Sequence, residues 1–414
     1  MVADPAVAAA VADAHRREWA FVLAATVRVT RDLDLAEECV QDAYARALTA
    51  WADGGIPNRP GAWLTTTARR RALDLQRRAA TQERKLPLLV SDSRGAPPSR
   101  EPEAHAVEDD RLRLIFTCCH PALSIEAQVA LTLRLLCGLT TAEVASAFLV
   151  SEPTMAARIT RAKHKIANAR IPYRVPPAAE LPERVGAVVS VVHLLYTTGH
   201  TAPAGANLVR RDLVERALDI SRMLRALLPE NPDVAGLLAL ILLNDARRAT
   251  RVDDEGELLL LADQDRSRWD RDAIAEGIAL VQEALTRRPP SRYALMAAIA
   301  AVHAEAPTWD DTDWVEVVAL YDVLLSLWPS PVVALNRAVA VGFADGPGVG
   351  LAALDALVDE PQLAGYPYLA AARADFLQRL DRRAEARDAY ATALDLTQNS
   401  RERAFLLRRL DELV

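Results

Sequence analysis

Cysteines in scaffold spacing, long apolar runs and aromatic residues are all lacking or scarce in this 414-residue chain, and each shortage excludes something. The four cysteines, Cys39, Cys118, Cys119 and Cys137, have no disulfide-framework spacing, so they are expected as reduced thiols of a cytoplasmic protein. The richest apolar stretch, Val234 to Leu243, is half of the ~20 residues needed to cross a bilayer. Met1 to Val11 has no basic stretch and carries Asp4, unlike a secretory signal. Aromatics make up 5% and glycine only 16 positions, while Ala, Leu and Val dominate the 51% hydrophobic content. That bias favours helix over strand, so the expected class is all-α. At ~150 residues per domain the length allows two to four domains.

The net charge of -7 conceals a split. Up to Val175 there are 24 Lys and Arg against 20 Asp and Glu, and beyond it 25 against 36. Within the first part, Arg59, Arg69, Arg70, Arg71, Arg77, Arg78, Arg84 and Lys85 form one basic island. Arg158, Arg161, Lys163, Lys165, Arg170 and Arg174 form another. Two islands on an acidic chain fit two contacts with a polyanion, and equally two solvated helix faces. Between them, Leu86 to Asp110 holds four prolines and six acids and reads as an acidic flexible linker. Ile171-Pro-Tyr-Arg-Val-Pro-Pro177 marks a second boundary, because its prolines stop the preceding helix.

The second island carries a helix-turn-helix pattern. Thr140-Thr141-Ala142-Glu143 is a capping box opening a short helix, and a turn follows at Leu149-Val150. Ser151 is a good N-cap, Pro153 fits the first turn, and Met155, Ile159, Ala162 and Ile166 make one apolar stripe. Glu152, Thr154, Arg158, Arg161 and Lys165 lie off that stripe, as major-groove entry requires. In the first island, Pro60 opens a helix whose apolar stripe is Leu64, Ala68, Ala72 and Leu75. Trp63, Arg70, Asp74 and Arg77 lie elsewhere on it, beyond the glycine loop Trp51-Ala-Asp-Gly-Gly-Ile-Pro57. Both a stacking surface for unstacked bases and a core tryptophan beside a solvated arginine face fit that pattern.

Leu35-Ala-Glu-Glu-Cys-Val-Gln-Asp-Ala-Tyr-Ala-Arg-Ala47 resembles the polymerase-binding helix of extracytoplasmic-function (ECF) sigma factors. Ala62-Trp-Leu through Arg78 resembles their promoter-melting helix, and Gly138 through Ala162 their domain-four helix-turn-helix. Asp53-Gly-Gly-Ile56, Phe116-Thr-Cys-Cys-His-Pro121, Asp245-Ala-Arg-Arg248 and Asp263-Gln-Asp-Arg-Ser-Arg-Trp-Asp270 are similar to the subgroup with a long tetratricopeptide-containing C-terminal extension. Arg70 and Ala156 depart from residues common in that family, Asn and Lys respectively, so promoter preference is not carried over.

The resemblance implies a sigma domain two over 1–85, a linker over 86–110 and a sigma domain four over 111–175. A family-specific helical domain over 176–290 and tetratricopeptide-like repeats over 291–414 would follow. It implies that Glu37, Glu38, Gln41 and Asp42 meet core RNA polymerase, whose beta-prime and beta subunits are the expected partners. Asp53, Gly54, Gly55, Ile56, Asn58, Arg59, Trp63, Arg70 and Arg77 would hold the opened minus-ten element. Glu152, Thr154, Arg158, Arg161 and Lys165 would read the minus-thirty-five element of promoter DNA. Polymerase would supply all catalysis, so the chain itself is expected to be neither an enzyme nor the holder of a cofactor. A polymerase-independent helix-turn-helix regulator with a tetratricopeptide sensor is the rival reading.

The extension shows a repeat. Tyr321 to Pro329 and Tyr390 to Gln398 are offset by 69 positions, about twice the 34-residue tetratricopeptide period. Ala374, Ala386, Tyr390 and Ala393 match the small and aromatic packing places of such a unit, and Ala284-Leu285 before Pro289 matches the end of another. Stacked hairpins present a concave face suited to a peptide or protein segment. Cys118-Cys119-His120 is not read as a metal site, because three consecutive side chains do not converge on one ion. His193, His200 and His303 have no nucleophile or carboxylate beside them in sequence, and Gly346-Pro-Gly348 reads as a turn.

Overall fold

The computed structural model describes residues 5–85, 110–148, 150–202, 208–253 and 255–413. Among them are eighteen α-helices and no strand, with one isolated bridge between Val252 and Leu258. The fold is all-α, as the composition predicts. All but Asp110 of the expected linker lies outside the described residues, as do Leu149 of the expected turn and the side chains of Arg84 and Lys85. Backbone contacts divide the chain into two compact units, Met1–Val191 and Val192–Val414.

In the first unit, α1 (Pro5–Thr30), α2 (Leu33–Gly54) and α3 (Pro60–Lys85) pack pairwise on one another. The Asp32 carboxylate caps α2 by accepting from the Asp34 and Leu35 amides at 2.8 and 3.0 Å. Helical spacing then gathers Ala36, Val40, Ala43 and Ala47 on one side of α2, and they are buried, as are Val22, Leu23 and Val27 of α1, on which α2 packs. The stripe expected on α3 is real: Leu64, Ala68 and Ala72 are fully buried and Leu75 half-buried.

The same unit continues with α4 (Asp110–Cys118), α5 (Ile125–Leu131), a π-helical turn over Thr132–Leu136, α6 (Thr141–Ala147) and α7 (Glu152–Asn168). Of these, α4 and the π-helical turn pack on α1. Trp19 Nε1 donates to the Leu135 carbonyl at 3.1 Å, and Tyr173 Oη donates to the Ala24 carbonyl at 2.9 Å. Gly138 allows this approach: its φ is +69°, and a Cβ there would stand 3.0 Å from the Trp19 ring. α8 (Leu181–His200) contributes its first turns here, where buried Arg184 donates to the Phe116 carbonyl. The unit boundary therefore falls inside α8, at Val191, and not at the proline cluster ending at Pro177.

The second unit runs through α9 (Arg211–Leu227), α10 (Pro232–Asp245), α11 (Arg271–Leu285), α12 (Arg292–Glu305) and α13 (Trp314–Leu327). It ends with α14 (Pro331–Ala344), α15 (Pro347–Asp355), α16 (Pro367–Arg379), α17 (Arg383–Leu396) and α18 (Ser400–Asp411). α10 is apolar on every side because α9, α11 and α12 surround it. From α13 onwards each helix packs mainly on its chain neighbours. The 69-residue offset appears as structure: α13 and α17 begin at 314 and 383 and end at 327 and 396, and α14 and α18 begin at 331 and 400. Ala374, Ala386, Tyr390 and Ala393 are buried where α16 and α17 meet. Gly342 and Gly350 let α14 and α15 touch backbone to backbone under the Phe376 ring, since a Cβ on Gly350 would lie 2.4 Å from the Gly342 Cα.

Candidate nucleic-acid interface

The helix-turn-helix forms through the local chemistry its sequence encodes. The Thr140 amide donates to Glu143 Oε2 at 2.7 Å, and the Glu143 amide donates to Thr140 Oγ1 at 3.2 Å, closing the capping box. Ser151 Oγ accepts from the Thr154 amide at 3.4 Å to start α7. Met155, Ile159, Ala162 and Ile166 are all buried, which fixes the rotation of α7. Glu152, Thr154, Arg161 and Lys165 are consequently exposed, and Arg158 is half-buried with its guanidinium 5.5 Å from the Phe148 ring centre. A hollow of about 430 Å³ between α5 and α7 brings Arg158, Arg161 and Lys165 beside Ser124 and Glu126. Glu126 is held below the usual carboxylate range by its own amide and the Ser124 hydroxyl, with Arg158 adding to them. Thr154, Arg158, Arg161 and Lys165 thus share one open, cationic face of α7, while Glu152, about half a turn away around the helix axis, is exposed in its first turn.

The first island makes a second open surface. Asp53, Gly54, Gly55, Ile56, Asn58 and Arg59 are exposed around the end of α2 and the start of α3, and Arg70 and Arg77 are exposed along α3. Trp63 is half-buried and meets Trp51 edge to face at 5.7 Å. Trp51 is the core tryptophan here, at 2% exposure, so it can brace Trp63 while Trp63 keeps a reachable edge. Gly55, at φ +81°, ends α2 and turns the loop outward.

The acidic residues of α2 separate into two environments. Glu38 and Gln41 are exposed, and Asp42 is half-buried with Arg71 Nε of α3 at 2.9 Å. Glu37 points the other way and is 5% exposed. Its Oε2 accepts from Lys163 Nζ of α7, and Arg134 Nη2 stands 3.0 Å from Oε1, out of hydrogen-bond alignment. Lys163 Nζ also reaches Asp34 at 2.7 Å. Burial alone would lower the Lys163 ammonium, but the charges and hydrogen bonds of Glu37 and Asp34 outweigh it and raise its pKa. Sequence reasoning missed Asp34, Arg134 and Lys163 as partners. One signal was present: Glu37 interrupts the inward stripe Leu33, Ala36, Val40, Tyr44, and a carboxylate in that position needs a cation.

Residues 15–82 match sigma-70 region 2, and residues 113–166 match sigma-70, region 4. The two exposed surfaces described above lie within those spans. This chain belongs to the sigma-70 family. The sigma factor continues into a family of unknown function, DUF6596, matched over residues 184–285. It is 42% identical over 395 residues to an uncharacterized protein of Rhizobium meliloti (strain 1021), a span of 94% of this chain and 93% of that relative. A sigma-factor role in transcription initiation, with DNA and core polymerase as partners, follows from the two sigma regions.

The remaining tempting groups of the sigma factor are structural or lie elsewhere. Cys39, Cys118, Cys119 and Cys137 are buried and free. Burial raises the Cys119 thiol to about 12, against the Thr132 hydroxyl 3.6 Å away, so it is kept protonated. His120 Nδ1 accepts from the Ala122 amide at 3.1 Å, which ends α4 in a turn. Among the described residues no three His, Cys, Asp or Glu side chains are grouped to hold a metal ion. No described helix is long and apolar enough to cross a membrane.

Proposed function

We propose that this protein is a cytoplasmic ECF-type sigma factor whose second unit is a fused regulatory extension with tetratricopeptide-like repeats. It binds core RNA polymerase through α2, opens the minus-ten element with the 53–59 loop and α3, and reads the minus-thirty-five element with α7. The observation that carries this reading is the pair of open basic surfaces, each mounted on its own buried stripe and arranged in the order region 2, region 4. Chemistry on nucleotides is left to the polymerase. Glu38 and Gln41 meet the polymerase directly, whereas contact at Glu37 requires α7 to leave α2. The test is transcription in vitro from cognate promoters by core polymerase with and without the purified chain. Promoter-specific transcripts support the reading, and DNA binding without polymerase association would favour the polymerase-independent regulator.

For the extension, the reading of a surface for a protein segment is supported by α13. Val315, Ala319, Val323 and Leu327 recur every four residues on its exposed side, with Val315 73% exposed. At the equivalent positions of α17 stand Ala384, Asp388, Thr392 and Leu396, so the repeat itself does not require an apolar stripe there. A truncation after His200, which keeps all of α8, tests whether the extension is needed. We expect loss of promoter-specific transcription, and a folded truncation more active than the full chain would show that the extension inhibits.

A further inference from the structure

The sigma role leaves unused the segments Asp245-Ala-Arg-Arg248 and Asp263 to Asp270, yet the second unit locks them together. Trp269 Nε1 donates to Thr250 Oγ1 at 2.9 Å, and Thr250 Oγ1 donates to the Arg247 carbonyl at 3.0 Å. Three guanidiniums gather around this lock. Arg251, 9% exposed, donates to the His200 carbonyl and to Thr201 Oγ1 at the end of α8. Arg266, 8% exposed, lies over the Trp269 ring and donates through Nη1 to the carbonyls of His303 and Ala306, 2.6 and 2.7 Å away, at the end of α12. Arg247 makes one long contact, to Asn244 Oδ1 at 3.4 Å.

None of the three forms an ion pair among the described residues, although their neighbour Arg248 pairs with both Asp245 and Glu215. Capping of helix-end carbonyls accounts for Arg251 and for one amine of Arg266. It does not account for Arg247, for the buried Arg266 Nη2 or for the buried His303 Nδ1, the last two of which have no hydrogen-bond partner among the described residues. Arg247 is the hub electrostatically. After burial, its charge is the largest one lowering His303 and the second, behind Arg251, lowering His200. A guanidinium withdrawn from water without a counter-ion is strongly unfavourable, and a converging set of unmatched cationic donors is completed by an anion. This set persists in the acidic part of the chain, where residues after Val175 hold 36 Asp and Glu against 25 Lys and Arg.

We propose that Arg247, Arg266 and His303, flanked by Arg251 and His200, form a binding site for a phosphate-type oxyanion. Arg247 is half-buried and so gives the ligand access from solvent. Two oxygens of a tetrahedral anion suit the free edges of the Arg247 and Arg266 forks, and His303 Nδ1 adds a third donor when it carries a proton. The ligand is inorganic phosphate or the terminal phosphate of a small phosphoester. The site stands on the geometry of the second unit alone and does not depend on the sigma reading.

The test titrates the full-length chain with inorganic phosphate and, separately, with adenosine monophosphate, by calorimetry at constant ionic strength set with chloride. We expect saturable binding of one equivalent, weakened by about ten-fold or more in Arg247→Gln, the loss of one charge-assisted contact. Arg383→Gln, at an exposed position of α17, should bind unchanged, which separates the site from general surface charge. Tighter binding of the nucleotide identifies a phosphoester as ligand, and tighter binding of phosphate the free anion. In chloride alone, Arg247→Gln should melt no lower than the parent chain, because an uncompensated charge has been removed. Absence of saturable binding by both probes, parental affinity in Arg247→Gln, or a lowered melting point of that variant in chloride would each overturn the proposal. His303→Gln provides a second comparison at nearly constant volume, and it too should weaken binding of the anion.

Discussion

Replacing Lys163 by Ala tests how the two sigma regions are held together. The Lys163 side chain is 11% exposed and that of Glu37 7%, so this pair lies in the regime where losing one partner costs about 3–5 kcal/mol. Two features reduce that figure. Arg134 stays 3.0 Å from Glu37 and continues to compensate its charge, while Asp34, 65% exposed, contributes no more than about 1 kcal/mol through its own contact. A loss near 2 kcal/mol is therefore expected, or roughly a 30-fold rise in the open population of the first unit. The cysteines provide a selective assay. All four are buried and lie before Val191, so thiol labelling of the native full-length chain reports openings of the first unit only. Lys163→Ala should label roughly 30-fold faster, and the double variant Lys163→Met, Glu37→Leu should return close to the parental rate, because an apolar pair restores a satisfied interior. Parental labelling by Lys163→Ala would show that the α7–α2 contact contributes nothing to closure.

Glu38→Lys, at an exposed position on α2 with no ion-pair partner among the described residues, should weaken association with core polymerase and do so most at low salt; co-purification at parental yield would remove α2 from the contact. Arg158→Ala should lower the preference for cognate over scrambled promoter by ~1–3 kcal/mol, whereas Lys165→Ala should weaken both alike, as measured by competition binding. Equal losses for Arg158→Ala on both DNAs would mean that it touches only phosphate. Burial, aided by Arg292 for His193 and by Arg247 and Arg266 for His303, holds both imidazoles at about 4. Their folded pKa lies below the unfolded value, so protons favour the unfolded state and the stability present above pH ~6.5 is lost as pH falls towards 4. The second unit should lose about 3 kcal/mol per histidine across that window, seen as faster hydrogen exchange over residues 192–414, and exchange independent of pH after correction for intrinsic rates would contradict it.

Local chemistry was legible in the chain. The Thr140–Glu143 box, the Ser151 cap and the stripe from Met155 to Ile166 are interactions among residues within about one or two turns, so the pattern alone dictates which face of α7 is left open. The same holds for Leu64, Ala68 and Ala72 beneath the α3 surface, and for the 69-residue spacing that returns as two pairs of matching helices. Pairings over long sequence distances were not legible. Glu37 belongs by its position to an acidic helix face, and only packing reveals that Lys163, 126 residues later, takes it out of solvent. Likewise Arg247 and Arg266 look like surface residues of two charged motifs until the Trp269–Thr250 bond draws them inward with no ion pair among the described residues. Helix formation follows from the spacing of neighbours along the chain, whereas the pairing and burial of a charge depend on which distant element covers it, and that is decided by tertiary structure.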